Sequence, residues 1–193
     1  MMEGHDADMR DLAHSSASEY LANTEFTPDV AEERFPNARR QLEKGLFVSH
    51  AGRDLERIRQ DLMPVIYERF APERFFLHSR GSGGADSYVQ LVQAALHYCD
   101  KFMVVVSQYS VDHEWVAAEV GWAVRRERPI LSCLFDDSDP GKINPALVRP
   151  PVGPDGKSTV NTVDFRCAVR QAQSSLERIL DRLLAGGSDV ASI

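Results

Sequence analysis

Cysteine is scarce in this chain: Cys99, Cys133 and Cys167 are odd in number and widely spaced. That excludes a disulfide framework and a CxxC metal clamp, and it predicts reduced, buried thiols in a reducing compartment. Basic residues are in deficit, 22 against 29 acidic ones. A net charge of -7 and a pI near 5.4 leave no chain-wide positive field for a phosphate backbone, so direct nucleic-acid binding is not expected. Long apolar runs are missing too, and none approaches the roughly 18 residues that a membrane span requires. The start, MMEGHDADMRDLAHSS, lacks a cationic segment followed by an apolar one and does not read as a secretory signal. The expectation is a soluble, cytoplasmic protein that does not contact membrane.

Motifs that would fix a chemistry on their own are also lacking. No GxxxxGK[ST] cradle for phosphates and no GxSxG nucleophile elbow occurs. The stretch Gly81-Ser82-Gly83-Gly84-Ala85-Asp86 starts like a dinucleotide loop, but Asp86 stands where the third glycine belongs, and the stretch follows the second predicted strand. It reads as a mobile loop beside a site or as a plain connector. His113-Glu114-Trp115-Val116-Ala117 opens like a zinc-protease helix and then offers Ala117 in place of the second ligand. His5, His14, His50, His78 and His97 show no ligand spacing, so neither a metal nor another cofactor is expected. At the end of the third predicted strand, where a receiver domain needs a phosphate-accepting aspartate, the residue is Ser107.

What is present is a foldable chain. Hydrophobic residues make up 43% and charged residues 26%, near the globular average. Its length suits one domain with a substantial core and an appendage. Residues 1–44 are polar, with weak helical patterning around Tyr20, Leu21 and Phe26 and a Thr27-Pro28-Asp29 helix-start signal. They are expected to form a partly helical or disordered extension that docks on the domain, engages a partner or serves as a leader. Residues 45–185 are the predicted domain, and 186–193 a frayed tail.

Within the domain, short apolar runs alternate with segments of helical period, the pattern of a βα repeat. Strands are predicted over 46–48, 75–77, 102–106, 130–135 and 160–165. Helices are predicted over 54–70, 86–98, 112–126 and 168–184, with a short one around 140–148. Asp54, Asp86 and Asp112 stand at N-cap positions, and Pro64 marks a kink or restart. Five strands with such helices predict an α/β fold with an open parallel sheet and right-handed crossovers. Ligands of such sheets bind outside the carboxyl ends of the strands, where the winding reverses.

The third long helix contains an anomaly. At about 100° per residue, Trp115, Ala118, Glu119, Trp122 and Ala123 share one side, and Val116 and Val120 widen that arc to roughly half the circumference. Glu119 therefore lies among indoles and small apolar residues, where its pKa should be perturbed. Two readings stand at this point. One is a functional carboxylate opening into a cleft. The other is a structural group, hydrogen-bonded to the preceding loop or ion-paired with Arg53 or Arg80.

Three stretches together resemble the Toll/interleukin-1 receptor (TIR) domains in their bacterial form. They are Phe47-Val48-Ser49-His50 with Asp54 after it, the glycine-rich loop running into the helix from Asp86, and Ser107-Gln108-Tyr109-Ser110 followed by Trp115-Val116-Ala117-Ala118-Glu119. In the last, a glutamate follows the tryptophan by four residues, as in the family. His78 and Gly83-Gly84-Ala85 replace the aspartate and the proline-glycine turn usual after the second strand, and Val116 replaces a common cysteine. The resemblance spans about residues 45–170 and implies a flavodoxin-like parallel sheet of order 2-1-3-4-5.

The resemblance also implies an activity: cleavage of NAD+, as substrate, at the nicotinamide N-glycosidic bond, by hydrolysis or by cyclisation of the ADP-ribose. Glu119 occupies the position of the catalytic glutamate. Trp115 would wall the nicotinamide side, with Ser49, His50 and His78 nearby and Arg53 and Arg80 on the pyrophosphate. For His50, Arg53 and Arg80, the competing reading is a solvated loop residue. Further implications are a homo-oligomer built by TIR–TIR contacts, activation by assembly, an upstream sensor or downstream effector protein, and a part in antiphage defence or NAD depletion. A non-catalytic scaffold, or a virulence factor acting on host TIR signalling, is the main alternative. A nucleoside deoxyribosyltransferase, which also places a glutamate at a ribose, is a further one, but its surrounding motifs are not found.

Overall fold

A computed structural model describes Glu33 and residues 35–77, 85–150, 160–166 and 168–185. Five apolar runs pair side by side as β1 (Leu46–Ser49), β2 (Phe75–Leu77), β3 (Lys101–Val106), β4 (Ile130–Leu134) and β5 (Val160–Asp164). Every pairing is parallel, and the order across the sheet is β2-β1-β3-β4-β5. The expected α/β architecture and strand order are both present.

Because successive residues of a strand point to opposite faces, each strand contributes to two cores. One face carries Phe47, Phe102, Val104, Val106, Ile130 and Val160, with Phe47 stacked between Phe76 and Phe102 at centroid distances of 5.3 and 5.4 Å. It is covered by α4 (Ala85–Tyr98) and α5 (Glu114–Arg125). The other face carries Leu46, Val48, Met103, Val105, Leu131, Cys133 and Val163. It is covered by α2 (Leu55–Asp61), α3 (Met63–Arg69) and α6 (Val169–Ala185). In α6 the buried residues Ala172, Leu176, Ile179 and Leu180 recur at helical spacing, so a single stripe seats the helix.

Departures from the sequence reading have local causes. The segment 54–70 is two helices, with Pro64 in the first turn of α3, where its missing N–H costs nothing. The segment 140–148 is two 3-10 turns, Pro140–Lys142 and Pro145–Leu147. Asp139 and Asn144 cap them by accepting from the Gly141 and Ala146 amides at 2.9 Å. Strand β3 begins one residue early at Lys101, whose stem is buried while its ammonium reaches Asp100 Oδ1 at 2.7 Å.

Ahead of β1, a short helix α1 (Ala38–Leu42) closes the described part of the extension, and Leu42 is buried against the first core. Lys44 turns the chain with φ of 63°, and Gly45 follows. A Cβ on Gly45 would lie 2.6 Å from the carbonyl oxygens of both Leu42 and Arg74, a space that only glycine fits. The Tyr20 to Asp29 signals, residues 81–84 of the glycine-rich loop and the tail lie outside the described residues. Among the described residues, no helix is long and apolar enough to cross a membrane.

Candidate active site

The chain leaves β1 for helices on one face of the sheet and leaves β3 for α5 on the other, although the two strands are neighbours. Their loops diverge at the carboxyl ends, the place where open parallel sheets bind ligands. Ser49 ends β1 and His50 follows it, Asp54 closes the 3-10 turn Gly52–Asp54 at the head of α2, and Ser107 follows β3.

Glu119 comes to the carboxyl end of β1 from α5. It is 8% exposed and lies on the buried face formed by Val116, Ala118, Val120 and Ala123. Trp115 and Trp122, one turn before and after it, are half-buried against the same core. Its partner is neither the preceding loop nor Arg53: Ser49 Oγ, at the end of β1, donates to Glu119 Oε2 at 2.5 Å. Among the described residues, no second donor reaches the carboxylate. Burial pushes the Glu119 carboxyl up from 4.5 to about 7, against the opposing pull of the Ser49 hydroxyl. One oxygen is thus anchored by Ser49, on a group that burial pushes toward neutrality.

A second serine–carboxylate pair joins the loops after β1 and β3. Ser107 Oγ donates to Asp54 Oδ2 at 2.7 Å and accepts from the Tyr109 amide at 3.1 Å. Asp54 was expected to cap its helix, but its side chain makes no cap bond and turns inward to Ser107. Burial raises its pKa, with the nearby Asp136 adding to the rise, while Ser107, Arg57 and the Ala51 backbone oppose it. The α5 start is also shifted: His113 is the N-cap residue rather than Asp112. The loop between β3 and α5 is tied down further by Gln108, whose amide donates to Asp136 Oδ2 at 2.8 Å, and by Ser110 Oγ, which accepts from the Ser107 amide at 2.8 Å.

The other expected site residues distribute unevenly. His50 is buried with Nδ1 3.2 Å from the Val48 carbonyl, a contact that requires the proton on that nitrogen. Arg53 is exposed, with its guanidinium 5.5 Å from the ring centroid of Tyr109, itself 41% exposed, so the loops after β1 and β3 meet there. His78 and Arg80 lie outside the described residues. Of the expected site residues, Ser49 and Glu119 are brought into contact across 70 residues of sequence, while His50 bonds the Val48 carbonyl and Arg53 packs on Tyr109 instead.

Sequence reasoning gave no role of their own to Tyr109, Asp136 and Arg57. Arg57 spans the ends of β4 and β5, donating to the carbonyls of Phe135 and Phe165 at 2.7 and 2.9 Å. Its guanidinium also lies 4.4 Å from the Phe135 ring centroid and binds Asp61 at 3.1 Å. Only the arginine's position one turn into the first helix hinted at it. Compared with known proteins, the chain matches no family model, and no curated protein resembles it significantly in sequence.

Proposed function

We propose that the protein is a TIR-domain enzyme that cleaves the nicotinamide N-glycosidic bond of NAD+, with Glu119 as its catalytic carboxylate. The observation that carries this reading is the state of Glu119: buried beside the carboxyl end of β1, held through one oxygen by Ser49, and raised to about 7. The motif around it, Trp115 to Glu119, agrees with the family's pattern.

The chemistry follows from charge. As the bond from ribose C1′ to the pyridinium nitrogen breaks, both electrons leave with nicotinamide, which departs neutral and needs no proton. Positive charge builds on C1′ and the ring oxygen. Ionised Glu119 stabilises that charge and accepts hydrogen bonds from ribose hydroxyls through its other oxygen. Water then adds to C1′ and releases a proton, giving ADP-ribose, or an adenine nitrogen adds to it and gives a cyclic product. Arg53 meets the pyrophosphate, and Tyr109 offers an exposed ring beside it. A second protomer completes the pocket, which makes the enzyme active when assembled and suits it to antiphage signalling or NAD depletion.

Incubating concentrated, assembled protein with NAD+ and resolving products by chromatography tests the reading. Nicotinamide release is expected, and Glu119→Gln should lower it by about 100- to 1,000-fold while leaving a cooperative melt. Equal turnover by both proteins refutes the assignment, and no turnover by the assembled wild type favours the scaffold.

A further inference from the structure

We propose that Ser49 is a positioning residue for the reaction: it acts through Glu119, fixing one carboxylate oxygen so that the other faces the substrate, and does not itself touch NAD+. The inference rests on the reading of Glu119 given above and assigns Ser49 a different task from the substrate contact that the sequence suggests. Its basis is geometric. Ser49 is 1% exposed, and its hydroxyl is already bonded to Glu119 Oε2, so a substrate atom would have to displace the glutamate to reach it.

The two partners also differ in how they are held. Ser49 belongs to β1, which is paired on both sides, to β2 through Val48 and Leu77 and to β3 through Ser49 and Val104. Its Cα is therefore fixed by the sheet. Glu119 projects from α5 on a long side chain, and among the described residues this bond is its one hydrogen-bonded anchor. Without the hydroxyl, the carboxylate keeps its place on the helix but loses its aim, and a loss of aim at a reacting centre is costly.

The bond also acts on titration, since a donor to the ionised form favours that form. Other titratable or charged groups on the elements around Glu119 are His50 and Arg53 after β1, Asp54 at the head of α2, and Asp112, His113 and Glu114 at the head of α5. The balance at Glu119 itself is between burial and the Ser49 hydroxyl. Removing the hydroxyl should therefore move the carboxyl further up.

The test uses the full, assembled chain and compares wild type, Ser49→Ala and Ser49→Thr. Loss of a hydrogen bond to a charged group corresponds to about a 10- to 100-fold fall in kcat for Ser49→Ala, with KM for NAD+ little changed. Its pH–rate profile should be displaced to higher pH, and Ser49→Thr, which keeps the hydroxyl, should restore both. In a Glu119→Gln background, Ser49→Ala should cause no further loss. A rise in KM with kcat and the pH profile unchanged would show a substrate contact and overturn the proposal. The carboxyl shift of Glu119, followed by carbon NMR through a pH titration of wild type and Ser49→Ala, needs no activity. A titration midpoint that does not rise in Ser49→Ala refutes the coupling, whereas an active Glu119→Gln refutes the enzymatic reading instead. If Ser49→Thr misfolds, the double-variant comparison and the NMR midpoint still decide.

Discussion

Two carboxylates each take a hydrogen bond from a serine at the end of one of two neighbouring strands, yet they are compensated differently. Asp54 accepts from Ser107 and is further favoured in its ionised form by Arg57 and the Ala51 backbone. Its serine in turn accepts from the Tyr109 amide, so the pair ties the loop after β3 to the loop after β1. Glu119 has Ser49 and no further donor among the described residues. The first pair is woven into the backbone, and removing it should cost stability. The second leaves a charge under-compensated, a condition that a fold tolerates where it is useful rather than where it is stabilising.

That contrast can be broken by experiment. The largest structural effect is expected at Asp54: Asp54→Ala leaves a buried hydroxyl and a backbone donor without their acceptor, costing about 3 kcal/mol. For a domain of this size that is a fall in Tm of roughly 10 °C. A melt of Asp54→Ala that matches wild type would place the two pairs in the same category.

Glu119→Gln should shift stability in the opposite direction. The folded-state pKa is raised above the ordinary 4.5, so the folded protein binds this proton more tightly than the unfolded chain does. The resulting contribution is fully present below about 4.5 and is lost as pH rises through about 7. The glutamine, which keeps an acceptor for Ser49 but never ionises, should gain on wild type by about 3 kcal/mol at pH 8, and by almost nothing at pH 4. Denaturant melts of both proteins at the two pH values measure this directly. A loss of stability at pH 8 would make Glu119 a structural anchor.

The smallest effect concerns the serines. Ser107→Ala should cost about 1 to 2 kcal/mol in a denaturant melt, because Asp54 stays buried and the Tyr109 amide loses its acceptor. Ser49→Ala should cost less at pH 5.5, where Glu119 is mostly protonated, than at pH 8. Equal pH dependence for the two variants would erase the distinction between the pairs.

The sheet was legible because each strand is a dense apolar run between polar turns, and runs such as 102–106 have no other stable use in a domain of this size. Glu119 was legible because a charge inside a helix's apolar arc is conspicuous in any helical projection. Its partner was not. Ser49 reads as one more small polar residue at a strand end, and the contact closes over 70 residues of chain. Asp54 misled for a physical reason: an aspartate before a helical run fits an N-cap equally well, and only the packing of the loop after β3 offers it Ser107 instead. The break between α2 and α3 was legible in Pro64, whereas the Arg57 bridge depends on where two distant strands end.

The most direct test of the central claim is the rate of nicotinamide release from NAD+ by the assembled protein, measured from pH 5 to 9 beside Glu119→Gln. The account predicts a rate that climbs with pH through a midpoint near 7, as the carboxyl ionises, and a variant with almost none at any pH. A rate indifferent to pH across that range, or a glutamine variant as fast as wild type, would contradict it.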